Sequence, residues 1–224
     1  MLGTCAGFVD VGYLRNTGSV KLQLAPTTNL NAAAVVSWFR GVVESNLTGH
    51  TFLRTYWYDG AYDPSHQNYE NQRRLFSAIA RTPGVQMRLG HIAERPNRLA
   101  SLMQRALEGT ADDLGIPRQQ LMGAFSQRWN FRPERQQKGV DTLIALDIVR
   151  LASRSAYQTA VLVTGDRDLA EAVRTSQDYG TRIVIATPDR QSVAREIIEL
   201  ADDVIDIGVD ALQSMFQTNS RPRT

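Results

Sequence analysis

"VLVTGDRDL", residues 161–169, runs an apolar stretch into Thr164 and Gly165 and then sets Asp166 and Asp168 one residue apart. A short apolar run bounded by a turn residue reads as a buried strand. The residues that follow, "RDLAEAVRTSQDYG" (167–180), read as a helix that closes on Gly180, a natural C-terminal stop. Strand, tight turn and helix together are the repeating unit of an α/β protein. In open parallel sheets ligands bind beyond the carboxyl ends of the strands. The two aspartates therefore stand where such folds do their chemistry.

The same alternation extends outward in both directions. Toward the N-terminus the sequence predicts strands over 6–11, 51–58 and 85–92, and helices over 28–47, 66–82 and 140–155. The strand of the opening stretch is expected over 158–166. Beyond it come a strand over 181–187, a helix over 190–201, a strand over 203–207 and a helix over 208–217. This is an α/β fold with a mostly parallel sheet. One interruption, 94–137, reads as an inserted helical hairpin, with Leu99, Leu102, Met103, Ala106 and Leu107 on one face and Pro117 opening the second helix. The expected organisation is a single domain over 1–217 carrying that insertion, followed by a disordered tail, 218–224.

Composition narrows the function classes. The 224 residues include one cysteine and three scattered histidines, which argues against an intrachain disulfide and a zinc site. No apolar run has the length of a membrane helix, and "MLGTCAGFVD" lacks a signal-peptide pattern, so a cytoplasmic location with no membrane partner is expected. The net charge of +2 is uneven: residues 81–138 hold ten basic and five acidic side chains, and the remainder nets −3. Such a basic segment suits either a polyanion partner or a solvated arginine-rich surface. Within it, "QRWNFRPERQQK" (127–138) interleaves Trp129 and Phe131 with Arg128, Arg132, Arg135 and Lys138. Aromatic rings stack bases while cations track phosphates, although the two aromatics are equally suited to anchoring the hairpin to a core.

The aspartates fall at element ends: Asp10 after the first strand, Asp59 after the second, Asp141 opening the helix after the insertion, and Asp166 with Asp168 after the fourth strand. Each has a local explanation, as an N-cap worth about 1 kcal/mol or as a first-turn acid favoured by the helix dipole. Converging, they conflict, because two carboxylates about 4 Å apart repel by about 4 kcal/mol at an effective dielectric of 20. A divalent cation with a preference for oxygen ligands removes that conflict. Asp147, six residues beyond Asp141, falls on another helix face and reads as a structural acid or a partner for nearby basic residues.

"FVDVGYL" (8–14), "KGVD" (138–141) and "VTGDRD" (163–168) resemble, in order and spacing, the NYN domain family of PIN-like ribonucleases, its bacterial LabA-like branch in particular. The resemblance implies a PIN-like three-layer sandwich, an acidic pocket, Mg²⁺ or Mn²⁺, and hydrolysis of RNA phosphodiester bonds. By position, Asp10, Asp141, Asp166 and Asp168 match the family's catalytic and metal-binding acids, with Asp59, Tyr13 and Thr164 as supporting candidates. Where the family often has Asn three residues after the first Asp, this chain has Tyr13, whose phenol is expected to bond a phosphate or stack a base. Thr164 and Gly165 are expected to shape the strand-to-helix turn, with the Thr164 hydroxyl within reach of a phosphate, and the 94–137 insertion to engage RNA, a second copy or a protein partner. The competing reading is an NYN-fold module that binds RNA or protein without cutting. Asp10 is followed by Val11-Gly12, which removes the Asp-x-Asp of haloacid-dehalogenase phosphatases, and "FVDVGYLRNTG" lacks a dinucleotide-binding glycine pattern.

Overall fold

The computed structural model describes residues 2–25, 28–95, 98–126 and 134–216. The chain forms two compact units, one made of residues up to His91 together with those from Lys138 onward, the other of Ile92–Gln137. The first unit opens with β1 (Gly3–Asp10), which passes without a loop into α1 (Val11–Lys21). There follow α2 (Ala32–Asn46), β2 (His50–Ala61), α3 (Tyr69–Ala80) and β3 (Val85–Arg95). The second unit holds α4 (Arg98–Asp113) and α5 (Arg118–Ser126), and β4 (Glu134–Lys138) leads back. The chain ends through α6 (Val140–Ala152), β5 (Thr159–Val163), α7 (Ala170–Asp178), β6 (Arg182–Thr187), α8 (Arg195–Leu200), β7 (Asp203–Asp206) and α9 (Val209–Phe216).

The strand order is β4-β3-β2-β1-β5-β6-β7, and every pairing from β3 to β7 is parallel. Because successive side chains point to opposite faces, each central strand feeds two cores. Cys5, Val9, Trp57, Val161, Val163 and Val184 pack under α1, α2, α3 and α9. Ala6, Phe8, Tyr56, Tyr58, Leu162 and Ile185 pack under α6, α7 and α8. The result is the three-layer PIN-like sandwich that the sequence implied, and β5, buried at all five residues, is its most apolar strand.

Several expectations are corrected. The first strand ends at Asp10 rather than at residue 11, and Val11 opens helix α1, which the apolar spacing does not announce; β4 lies within the basic segment and is a regular strand. Strand β2 runs to Ala61, so Asp59 lies inside it rather than at its end. In α4 Ala111 is buried and Met103 and Leu107 are half-buried, while Leu102 is 62% exposed and Ala106 is exposed. Arg128, Trp129, Phe131, Arg132 and the 218–224 tail lie outside the described residues, and of Arg135 only the backbone, in β4, lies within them.

Candidate active site

The acidic edge is built at the carboxyl ends of β1 and β5, the two central strands. Asp10 is the last residue of β1 and the N-cap of α1, where its carboxylate accepts a hydrogen bond from the Tyr13 N–H at 3.0 Å. Capping fixes its rotamer and points the charge at the positive end of the helix. Asp166 follows β5 and caps a 3-10 turn over Arg167–Leu169, accepting from the Asp168 N–H at 3.0 Å. Asp168 is exposed, whereas Asp166 is half-buried. Asp141 is the second residue of α6 and not its cap; that position belongs to Gly139, whose φ of 79° favours glycine.

These four acids sense one another. Burial pushes Asp10 up to about 6; the Tyr13 N–H opposes the rise, and the charges of Asp141 and Asp59 add to it. Asp141 is also raised, first by burial and then by the charges of Asp166 and Asp168. Three separate segments of chain therefore place carboxylates in mutual repulsion at one sheet edge. Among the described residues, no three His, Cys, Asp or Glu side chains are arranged closely enough to cage a metal ion.

The supporting candidates fare differently. Pleat alternation puts Asp59 on the face of Trp57, toward α1, and there Arg15 donates to both of its carboxylate oxygens at 3.2 and 3.4 Å. Asp59 also accepts the Gly60 N–H at 2.8 Å, so its charge is largely committed. Thr164 is 1% exposed and its hydroxyl accepts the Asp166 N–H at 3.3 Å. It shapes the turn and does not reach outward to a phosphate. Tyr13 is not a base-stacking platform either. Its hydroxyl lies 2.7 Å from both Thr187 Oγ1 and Ser192 Oγ, and its ring lies against Gly165. A Cβ on Gly165 would stand 2.5 Å from Tyr13 Cε2 and 2.5 Å from the Ser192 carbonyl oxygen. The Ala194 N–H donates to the Gly165 carbonyl at 3.0 Å, which ties the start of α8 to the acid-bearing turn. Lys138 is exposed and its side chain makes no contact with the acids.

Sequence reasoning missed Arg15 and the "TPDRQS" loop (187–192). Arg15 follows Asp10 by five residues on α1, a helix that the sequence pattern does not announce. Asp147 is a buried structural acid: it accepts from the Tyr58 hydroxyl at 3.0 Å, Arg88 Nε at 2.8 Å and Arg150 at 2.5 Å.

The sequence pattern of the NYN domain matches residues 8–208, nearly the whole described fold and all of the acidic edge. The chain belongs to the NYN family. Its fold is accordingly that of the PIN-like nucleases. A further likeness is to the uncharacterized protein y4oD of Sinorhizobium fredii, 46% identical over 48 residues; the match spans about a fifth of either chain (21% of this one and 22% of that one). Among solved structures, a protein of unknown function from Vibrio parahaemolyticus superimposes with a TM-score of 0.52 at 16% identity, over 92% of this chain and 93% of that one. At that identity the likeness concerns the NYN fold alone.

Proposed function

We propose that this NYN protein is a metal-dependent ribonuclease whose acidic edge holds Mg²⁺ or Mn²⁺. The observation that carries the reading is a pair of carboxyls, Asp10 and Asp141, raised by burial at one sheet edge, with Asp141 facing Asp10 and also facing the charges of Asp166 and Asp168. Nothing in the cores calls for these charges, and the nearby Asp59, by contrast, is paired with Arg15. The donor set is all oxygen, as hard divalent cations prefer. The lack of a three-acid cage among the described residues suits a hydrated ion held by one or two carboxylates with waters, the usual habit of Mg²⁺. Asp10 and Asp166 are the direct holders in this reading, since each is fixed by a backbone hydrogen bond.

When bound, the cation supplies charge neutralisation for the phosphate and acidification of an attacking water. The protein's own residues supply position. The caps on Asp10 and Asp166 hold both carboxylates at the strand ends. Asp141, raised by burial and then by the charges of Asp166 and Asp168, holds a proton more readily than a free carboxylate, and exposed Asp168 orients water at the mouth of the site.

A second reading, an NYN module that binds RNA or a protein without cutting, draws support from the same missing cage. Cleavage of labelled single-stranded and structured RNAs in Mn²⁺, Mg²⁺ or EDTA, with Asp10→Asn and Asp168→Asn beside wild type, separates the two. Metal-dependent cutting that disappears in both folded variants supports the ribonuclease. A folded wild type that cuts none of these RNAs refutes it in favour of the module.

A further inference from the structure

Beside the acid-bearing turn lies a cavity of about 520 Å³ lined by Arg167, Arg174, Ala194, Arg195, Glu196 and Glu199. Arg167 stands between Asp166 and Asp168 in the chain, and Ala194 is hydrogen-bonded to Gly165, so two of the residues lining this cavity are tied to the acid-bearing turn. Three arginines share two glutamates here. Glu196 faces both Arg167, at 3.5 Å, and Arg174, at 3.1 Å, while Glu199 pairs with Arg195 at 2.6 Å. One positive charge is left over. Arg167 and Arg195 are 77% and 91% exposed, and exposed ion pairs of this kind are worth little. Among the described residues, the Arg167 side chain makes no hydrogen bond, and that of Arg195 uses only its Nε, which leaves the outer N–H groups of both for an incoming acceptor. Guanidinium groups bind phosphate oxygens in bidentate fashion, and a phosphate displaces a weak surface carboxylate easily.

We infer that this cavity is the track for the phosphates of the substrate strand on one side of the scissile bond, with Arg167 and Arg195 as its contacts. The inference rests on the nucleolytic reading of the acidic edge, and it names the substrate class as a single strand whose backbone crosses from the acids toward α8. A cation beside the acids also explains a local feature. Arg167 interrupts a pair of carboxylates, where it offsets their charge for an approaching polyanion.

The test is binding of a labelled 12-nucleotide single-stranded RNA in EDTA across a salt series, followed by cleavage in Mn²⁺. Each phosphate contact on a single strand contributes about −0.7 to the slope of log K against log salt. The R167A/R195A variant is expected to bind about tenfold more weakly at low salt and to lose about 1.4 from that slope. R182A, which removes one arginine from an Arg182–Asp203 pair at the opposite ends of the strands, is the control and is expected to keep the wild-type slope. An unchanged slope in R167A/R195A, or an equal loss in R182A, overturns the track. A wild type that cuts in Mn²⁺ while R167A/R195A keeps its slope overturns the track and leaves the nuclease standing. A wild type that cuts nothing while R167A/R195A loses binding supports the track and refutes the nuclease.

Discussion

Replacing Asp10 by Asn should make the metal-free protein more stable at neutral pH, although it removes a central residue of the candidate site. Folded Asp10 titrates at about 6, against an ordinary value of 3.8, so the fold prefers its protonated form. The sign follows directly. Below about pH 3.8 both states hold the proton and nothing is lost. As pH rises toward and through 6, ionisation is forced on a buried carboxyl and stability falls. Each decade of proton affinity is worth about 1.36 kcal/mol, so the full cost at pH 8 is about 3 kcal/mol, and it shrinks below about 1 kcal/mol at pH 4. Asn carries no charge to bury, and its amide oxygen still accepts the Tyr13 N–H, since Asn and Asp cap helices about equally well. Urea unfolding in EDTA at pH 4 and pH 8 reads the difference directly, and at pH 8 the gain should appear as about 5–10 °C in Tm for a chain of this size. Mg²⁺ at about 100 times its Kd should add about 2.7 kcal/mol to wild type and little to the variant. A variant no more stable than wild type at pH 8, or one whose advantage is the same at pH 4, refutes the electrostatic reading of this edge.

Three further perturbations address the surroundings. Gly165→Ala forces a Cβ to within 2.5 Å of the Ser192 carbonyl oxygen and the Tyr13 ring, and should destabilise by about 2 kcal/mol while abolishing any metal-dependent cleavage; a thermal melt and the RNA assay read both. Tyr13→Phe removes one hydroxyl from a set in which Thr187 and Ser192 still donate to the Asp189 carbonyl, so a loss of only about 1 kcal/mol is expected by chemical denaturation. Asp147→Ala strands Arg88 and the Tyr58 hydroxyl and should cost about 3 kcal/mol, with Arg88→Met in the same chain recovering part of it.

The layered fold was legible because the central strands are unambiguous. "VLV" and "RIVIA" admit no polar break, and the helices between them end at Gly180 and near Pro83-Gly84. Helix α1 was not legible. Gly12, Thr17, Gly18 and Ser19 are poor helix formers, and what holds them is the Asp10 cap and the burial of Val11 and Leu14, both consequences of tertiary structure. Strand β4, "ERQQK", has no apolar residue to announce it and lies at the edge of the sheet. The acids were found because an aspartate after an apolar strand is a local pattern. Their environment was not, because it depends on partners far along the chain. Tyr13 meets residues 174 and 179 positions away, and a two-residue misplacement of the end of β2 was enough to put Asp59 at the wrong kind of position.

The neighbours of β1 have a consequence for when the chain can act. It pairs with β2 on one side and with β5 on the other, where Cys5 meets Thr159. Asp10 therefore acquires Asp166 as a neighbour only after more than two-thirds of the sequence is available and the long parallel pairing has closed, a slow, non-local event in folding. A growing chain that has made β1, β2 and β3 possesses Asp10 alone of the four acids of this edge. Assembly of the acidic edge is thereby tied to completion of the sheet: a chain that stops before β5 carries Asp10 and Asp141 without Asp166 and Asp168.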